Sequence, residues 1–177
     1  MVKKEKKISS KNVFKGKLLD VYLDEVECQD GTKSTREIIR HCKASCVLAF
    51  TSNNKVVMER QYRYPYDEVL YELPAGKCDK DEDPKVTALR ELEEETGYKA
   101  NKIKYLGMIY PSCAYTDEII YCYLAENLVK TKTHLDAGEF LEVEFLSLEE
   151  VLKLIKEDKI NDAKTIATIA YYLIDKQ

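Results

Sequence analysis

Apolar and polar positions alternate through much of the first 50 residues, a pattern typical of half-buried β-strands. GKLLDVYLDEVEC (16–28) alternates in this way, and so does STREIIRH (34–41). Asp30 and Gly31 between them are typical of a hairpin turn. The continuous apolar run ASCVLAF (44–50) predicts a further strand directly after the hairpin.

Later strands follow from similar runs that are separated by polar or proline-containing turns. They are VVMERQYR (56–63), VLYELPAG (69–76), IKYLGMIY (103–110), EIIYCYLAENL (118–128) and LEVEFLS (141–147).

Helical signals occur in three places. PKVTALRELEEET (84–96) is preceded by Asp83, a good N-cap residue, begins with Pro84 and ends before Gly97. SLEEVLKLIKEDK (147–159) and NDAKTIATIAYYLIDK (161–176) predict two closing helices. Because strands and helices mix without regular βαβ alternation, the predicted fold class is α+β or mixed α/β.

Composition excludes several classes of protein. The chain has 177 residues, of which 45% are hydrophobic, so we expect one domain with a buried core. The net charge of −4 argues against a nucleic-acid partner, and the basic start MVKKEKK reads as a solvated tail. We see neither a signal peptide nor an apolar run near the ~20 residues that span a bilayer, so we expect a cytoplasmic protein without a membrane contact. The six scattered cysteines are expected to be reduced thiols.

The block RELEEETGY (90–98) concentrates carboxylates on the first predicted helix. At about 100° per residue, Glu91, Glu94 and Glu95 fall within an arc of about 100°, whereas Glu93 lies outside it. Like charges at this spacing destabilise a bare helix, but a hard divalent cation can be shared by carboxylates one turn apart. The block is therefore either a solvated acidic face or a metal site.

The residues before the helix decide between these readings. Gly76 is followed after five residues by Glu82, and after seven more by Arg90-Glu91-Leu92-x-Glu94-Glu95-x-Gly97-Tyr98. This spacing resembles the Nudix box, G-x5-E-x7-R-E-U-x-E-E-x-G-U, at every fixed position. The resemblance implies an α/β/α sandwich around a mixed sheet. It also implies hydrolysis of a nucleoside diphosphate linked to another group, with Mg²⁺ or Mn²⁺ as cofactor.

By the same resemblance, Glu91, Glu95 and the backbone carbonyl of Ala75 hold the metal, with Glu94 beside them as a catalytic carboxylate. Glu82 and Arg90 would brace the loop and the helix.

Nearly the whole chain is similar to the ADP-ribose pyrophosphatase subfamily, through MERQYRYP, YELPAGK, TDEIIYCYLAE, GEFLEVEFLSLEE and NDAKTIATIAYYL. This similarity implies that Arg63 reaches the substrate diphosphate and that Glu37 and Glu72 line the substrate pocket. It further implies a homodimer, in which residues 1–44 form a swapped antiparallel sheet for dimerisation and substrate binding. Residues 45–177 would form the Nudix hydrolase domain.

The base that activates water is expected outside the box, because the box carboxylates would be occupied by metal. Similarity to the subfamily's Gly-Glu-Phe loop points to Glu139 in THLDAGEF (133–140), with Glu142 as the alternative.

One position departs from the subfamily, which usually has proline where this chain has Cys113. The expected reaction converts ADP-ribose or a related ADP-sugar to AMP and ribose 5-phosphate. The alternatives are another nucleoside diphosphate sugar, a nucleoside triphosphate, or a non-catalytic Nudix-like ligand sensor.

Overall fold

The computed structural model describes all 177 residues, which form two compact units. The first unit comprises Met1–Cys42 with Tyr110–Glu118, and the second comprises Lys43–Ile109 with Ile119–Gln177. The strands are β1 (Lys6–Lys15), β2 (Asp20–Glu27), β3 (Lys33–Arg40), β4 (Ala44–Ala49), β5 (Lys55–Arg63), β6 (Glu68–Glu72), β7 (Ala75–Lys77), β8 (Tyr98–Ile109), β9 (Ile120–Lys130) and β10 (Leu141–Ser147). The helices are α1 (Pro84–Thr96), α2 (Leu148–Lys156) and α3 (Ala163–Asp175).

The first unit is an antiparallel sheet of β1, β2 and β3 in that order. Its β2–β3 turn is the predicted one, with Gly31 at a φ of 84°. Strand β1 was not predicted, because KKISSKNVFK is exposed along its whole length and lacks apolar alternation. The loop 110–118 joins this sheet, since the Ile39 amide donates to the Tyr115 carbonyl at 2.7 Å.

The second unit contains two sheets between helices. Strands β10, β5 and β6 are antiparallel, while β7, β4, β9 and β8 form a mixed sheet in which β4 and β9 run parallel. Strand β4 is buried on both faces: Cys46 and Leu48 pack in the core beside α2 and α3, and Val47 and Ala49 pack in the core beside α1. This layering confirms the predicted mixed α/β class with a small antiparallel sheet.

Helix α1 has the predicted bounds. Asp83 caps it by accepting a hydrogen bond from the Lys85 amide at 2.8 Å, and Gly97 ends it in the left-handed region at a φ of 70°. Ala88 and Leu92 are fully buried against the sheet. Burial of this apolar face fixes the rotation of the helix and therefore the direction of its glutamates.

Two further strands, β8 and β7, differ from the sequence prediction. Strand β8 begins at Tyr98 rather than near Ile103, because it pairs with β9 along its length even where its own residues are polar. The short strand β7 pairs with Ala44–Cys46 through backbone hydrogen bonds, which leave no side-chain pattern to recognise. None of the three helices is long and apolar enough to cross a membrane.

Candidate active site

Arg90 braces the loop before α1 against the helix. Its Nε and Nη2 atoms donate to the two oxygens of Glu82, each at 3.1 Å, and Nη2 also donates to the Lys77 carbonyl at 3.2 Å. Glu82 accepts further hydrogen bonds from the Asp79 amide and the Thr87 hydroxyl. The hydrogen bonds from Arg90 lower the pKa of Glu82 to about 2, so this carboxylate stays charged and holds the loop in place.

The same guanidinium holds two of the predicted site glutamates. Arg90 Nη1 donates to Glu91 Oε1 at 2.8 Å and to Glu94 Oε2 at 2.9 Å. Gly76 makes room for Glu91, because a Cβ atom at position 76 would lie 2.0 Å from the Glu91 carboxyl carbon. A side chain at position 76 would therefore displace the Glu91 carboxylate from its present position.

Glu95 is the most deeply buried carboxylate of the box, with only 4% of its surface exposed. The Ala75 amide donates to its Oε2 atom at 3.1 Å. Burial raises the pKa of Glu95 to about 10, helped by the negative charges of Glu59, Glu91 and Glu139. Ala75, expected as a backbone ligand, is thus adjacent to Glu95, as a metal site built from both would require.

Glu139 approaches these carboxylates from the loop between β9 and β10. Its charge raises the pKa of Glu59, Glu91 and Glu95, although burial is the larger cause in each case. Glu142, the alternative base, is 79% exposed at its side chain and lies opposite Arg60 in the β5–β10 pairing. Of the two candidate bases, Glu139 is thus the one whose charge acts on the box carboxylates, whereas Glu142 is largely exposed.

Arg63 and Glu72 form one ion-pair group at the ends of β5 and β6. Arg63 Nε and Nη2 donate to the two Glu72 oxygens at 2.6 and 2.7 Å. Glu72 is 3% exposed, and burial acts to raise its pKa, but hydrogen bonds from Arg63 and Lys164 lower the pKa below its usual value. Glu72 thus orients Arg63 rather than presenting a free carboxylate.

Lys164, at the start of α3, is a part of this group that the sequence reading missed. Its ammonium contacts the Glu72 carboxylate and lies 3.0 Å from Asp162 Oδ2. A lysine directly after a capping aspartate in DAKT resembles ordinary helix capping, so its sequence position alone did not mark it.

Glu59 on β5 is the second residue that was missed. Burial raises the pKa of Glu59 to about 8, and its carboxyl group is close enough to that of Glu95 for each to affect the pKa of the other. A signal was present in VVMERQYR, since Glu59 shares a strand face with Val57 of the core. Glu37, by contrast, is exposed on β3 of the first unit and is not among the residues gathered in the second unit.

Comparison with known proteins agrees with the box geometry. Residues 40–169 match the sequence profile of the NUDIX domain. The chain belongs to the Nudix hydrolase family. Its structure resembles the crystal structure of an ADP compounds hydrolase with a TM-score of 0.88 at 20% identity, covering 99% of this chain and 95% of the other. The predicted Nudix fold is therefore confirmed.

Two relatives of this Nudix hydrolase are equally similar in sequence. The ADP-ribose pyrophosphatase of Bacillus subtilis (strain 168) is 44% identical over 169 residues, with 94% of this chain and 91% of the relative covered. The methanol dehydrogenase activator of Bacillus methanolicus has the same identity and coverage. Sequence identity alone does not choose between these two descriptions.

Nudix hydrolases are generally dependent on a divalent metal ion. With Arg90 bound to Glu91 and Glu94, no three Asp, Glu, His or Cys side chains stand at the spacing of a formed metal centre. The donor set nevertheless fits a divalent cation, because the carboxylates Glu95 and Glu59 are both buried and Glu59 Oε1 has no hydrogen-bond partner.

Proposed function

We propose that this Nudix hydrolase uses Mg²⁺, with Mn²⁺ as a substitute, to hydrolyse the diphosphate bond of ADP-ribose or a related ADP-sugar. The products would be AMP and ribose 5-phosphate. The observation that carries the proposal is the grouping of Glu91, Glu94, Glu95 and Glu139 in the second unit. The similarity over 94% of the chain to an ADP-ribose pyrophosphatase supports the choice of substrate.

The metal would be held by Glu91, Glu95 and the Ala75 carbonyl, with Glu94 beside them. When bound, the divalent cation neutralises the diphosphate charge and lowers the pKa of bound water. Glu72 orients the Arg63 guanidinium through Nε and Nη2, and the remaining N–H groups of Arg63 would bind the substrate diphosphate. An arginine whose geometry is fixed before binding loses less entropy when it holds a phosphate.

Glu139 would act as the general base. It would accept a proton from the attacking water as the new oxygen–phosphorus bond forms and the bridging phosphorus–oxygen bond breaks. Gly138, at a φ of 90°, precedes Glu139 in a tight turn. In this turn the Glu139 amide donates a hydrogen bond to the Asp136 carbonyl at 3.0 Å. We also propose that Glu37, on β3 of the first unit, lines the substrate pocket.

A second candidate is a Nudix pyrophosphohydrolase for another nucleoside diphosphate sugar or for a nucleoside triphosphate. The observation that favours it is Cys113, which replaces the usual subfamily proline and is exposed in the loop 110–118.

A panel of nucleoside diphosphate derivatives and triphosphates with Mg²⁺, with products separated by chromatography, distinguishes the two. ADP-ribose should give AMP and ribose 5-phosphate. A preference for triphosphates, with pyrophosphate as product, would contradict the first candidate.

We also propose a cytoplasmic homodimer assembled through the first unit. Support comes from exposed apolar side chains on β1 and in the connection from β1 to β2: Ile8, Val13, Phe14, Leu18 and Leu19. Several large apolar side chains exposed in one segment favour an interaction surface. Sedimentation of the full chain should show a dimer at micromolar concentration, and an active monomer at that concentration would contradict this assembly.

A further inference from the structure

The register of β5 directs Glu59 toward helix α1. Glu59 lies opposite Glu72 of β6 and opposite Val143 of β10. It also shares a strand face with Val57, which packs with Ala88 and Leu92 of α1. A residue on this face would ordinarily be apolar, like Val57 and Val143.

The environment of Glu59 leaves its carboxyl group without a cation in direct contact. The residue is 3% exposed, and its Oε1 atom has no hydrogen-bond partner. Its neighbour Arg60 points to the opposite face, where its guanidinium lies 5.3 Å from the Tyr71 ring centroid. Val57, on the same strand face as Glu59, packs with Leu92, which precedes Glu95 by three residues on α1, so Glu59 lies on the side of β5 that faces the box helix. A buried oxygen acceptor without a partner is costly, and a bound cation would supply the missing contact.

We propose that Glu59 supplies a further metal-binding carboxylate, from strand β5, to the site that the box helix forms. This inference rests on the proposed function, because it takes Glu95 as a metal ligand. Carboxylate oxygens are the ligands that Mg²⁺ and Mn²⁺ prefer, and a cation between Glu59 and Glu95 would satisfy both buried groups. The alternative is a structural carboxyl pair that shares a proton and never contacts the metal.

Binding of Mn²⁺ to the full-length protein, followed by the loss of the free-ion EPR signal, tests this inference. Glu59→Gln keeps the shape of the side chain and should weaken Mn²⁺ binding at least tenfold. Glu68→Gln on the neighbouring strand β6 is the matched control, because Glu68 is exposed, and it should bind Mn²⁺ like the wild type. Glu95→Gln should lose Mn²⁺ binding as well.

Thermal unfolding in EDTA separates ligand loss from misfolding. Glu59→Val, which matches the apolar neighbours, should be at least as stable as the wild type without metal and should show a smaller metal-induced rise in melting temperature. Wild-type affinity for Mn²⁺ in both Glu59 variants, with Glu95→Gln impaired, would overturn the inference alone. Absence of saturable Mn²⁺ binding in the wild type would overturn the proposed metal site itself.

Discussion

Lys164 is the second cation, besides Arg63, that contacts the buried Glu72 carboxylate. The side chains of Lys164 and Glu72 are 14% and 4% exposed, so the pair is poorly screened by solvent. Lys164 also joins α3 to the end of β6, where the Leu73 amide donates to Thr165 at 2.8 Å. Its position ties the packing of the last helix to the orientation of Arg63.

Replacement of Lys164 by Met should lower the free energy of unfolding by about 3 kcal/mol, because the buried Glu72 carboxylate loses one partner. Urea unfolding measures this change. Lys159→Met is the matched control, since Lys159 is 60% exposed and its pairing with Glu157 is worth little. A loss below about 1 kcal/mol for Lys164→Met would contradict this assignment.

The stability of the metal-free protein should fall as pH rises from about 5 to 8. Burial raises the folded-state pKa values of Glu59 and Glu95 to about 8 and about 10, whereas the unfolded values stay near 4.5. Over this range the folded chain binds more protons than the unfolded chain, so the free energy of unfolding falls as pH rises.

Urea unfolding in EDTA at several pH values measures the slope, and Glu95→Gln should reduce it. Stability that rises with pH in the wild type would contradict the burial of these carboxylates as carboxylic acids.

At the scale of elements, local signals were sufficient for helix α1. Asp83, Pro84 and Gly97 define its ends, and Ala88 with Leu92 defines its buried face. The arc of Glu91, Glu94 and Glu95 followed from the rotation that this buried face sets. Glu59 and Lys164 could not be assigned in the same way, because their contacts depend on strand register and on the docking of α3, which are long-range features.

The loop between β9 and β10 carries Glu139, the proposed general base. Glu139→Gln should lower kcat by roughly 10²–10⁴-fold and leave KM within a few-fold, as expected for a general base. Steady-state kinetics of Glu139→Gln beside Asp136→Asn and Glu142→Gln measure the effect. A larger kcat loss in either neighbour would move the function of base to that residue.

In the whole molecule, the strands of the second unit could be predicted from sequence more completely than those of the first. The core strands β4 and β5 have strong apolar patterns, whereas the fully exposed β1 has none and is held by backbone pairing with β2. The inclusion of the loop 110–118 in the first unit also depends on backbone hydrogen bonds to Ile39, which no side-chain pattern encodes.

The proposed function requires the box carboxylates to support metal-dependent hydrolysis of ADP-ribose. The most direct measurement is turnover of ADP-ribose to AMP and ribose 5-phosphate with and without Mg²⁺, by the wild type and by Glu95→Gln. We predict Mg²⁺-dependent turnover by the wild type and loss of most activity in a folded Glu95→Gln variant. Normal turnover of ADP-ribose by Glu95→Gln would contradict the account.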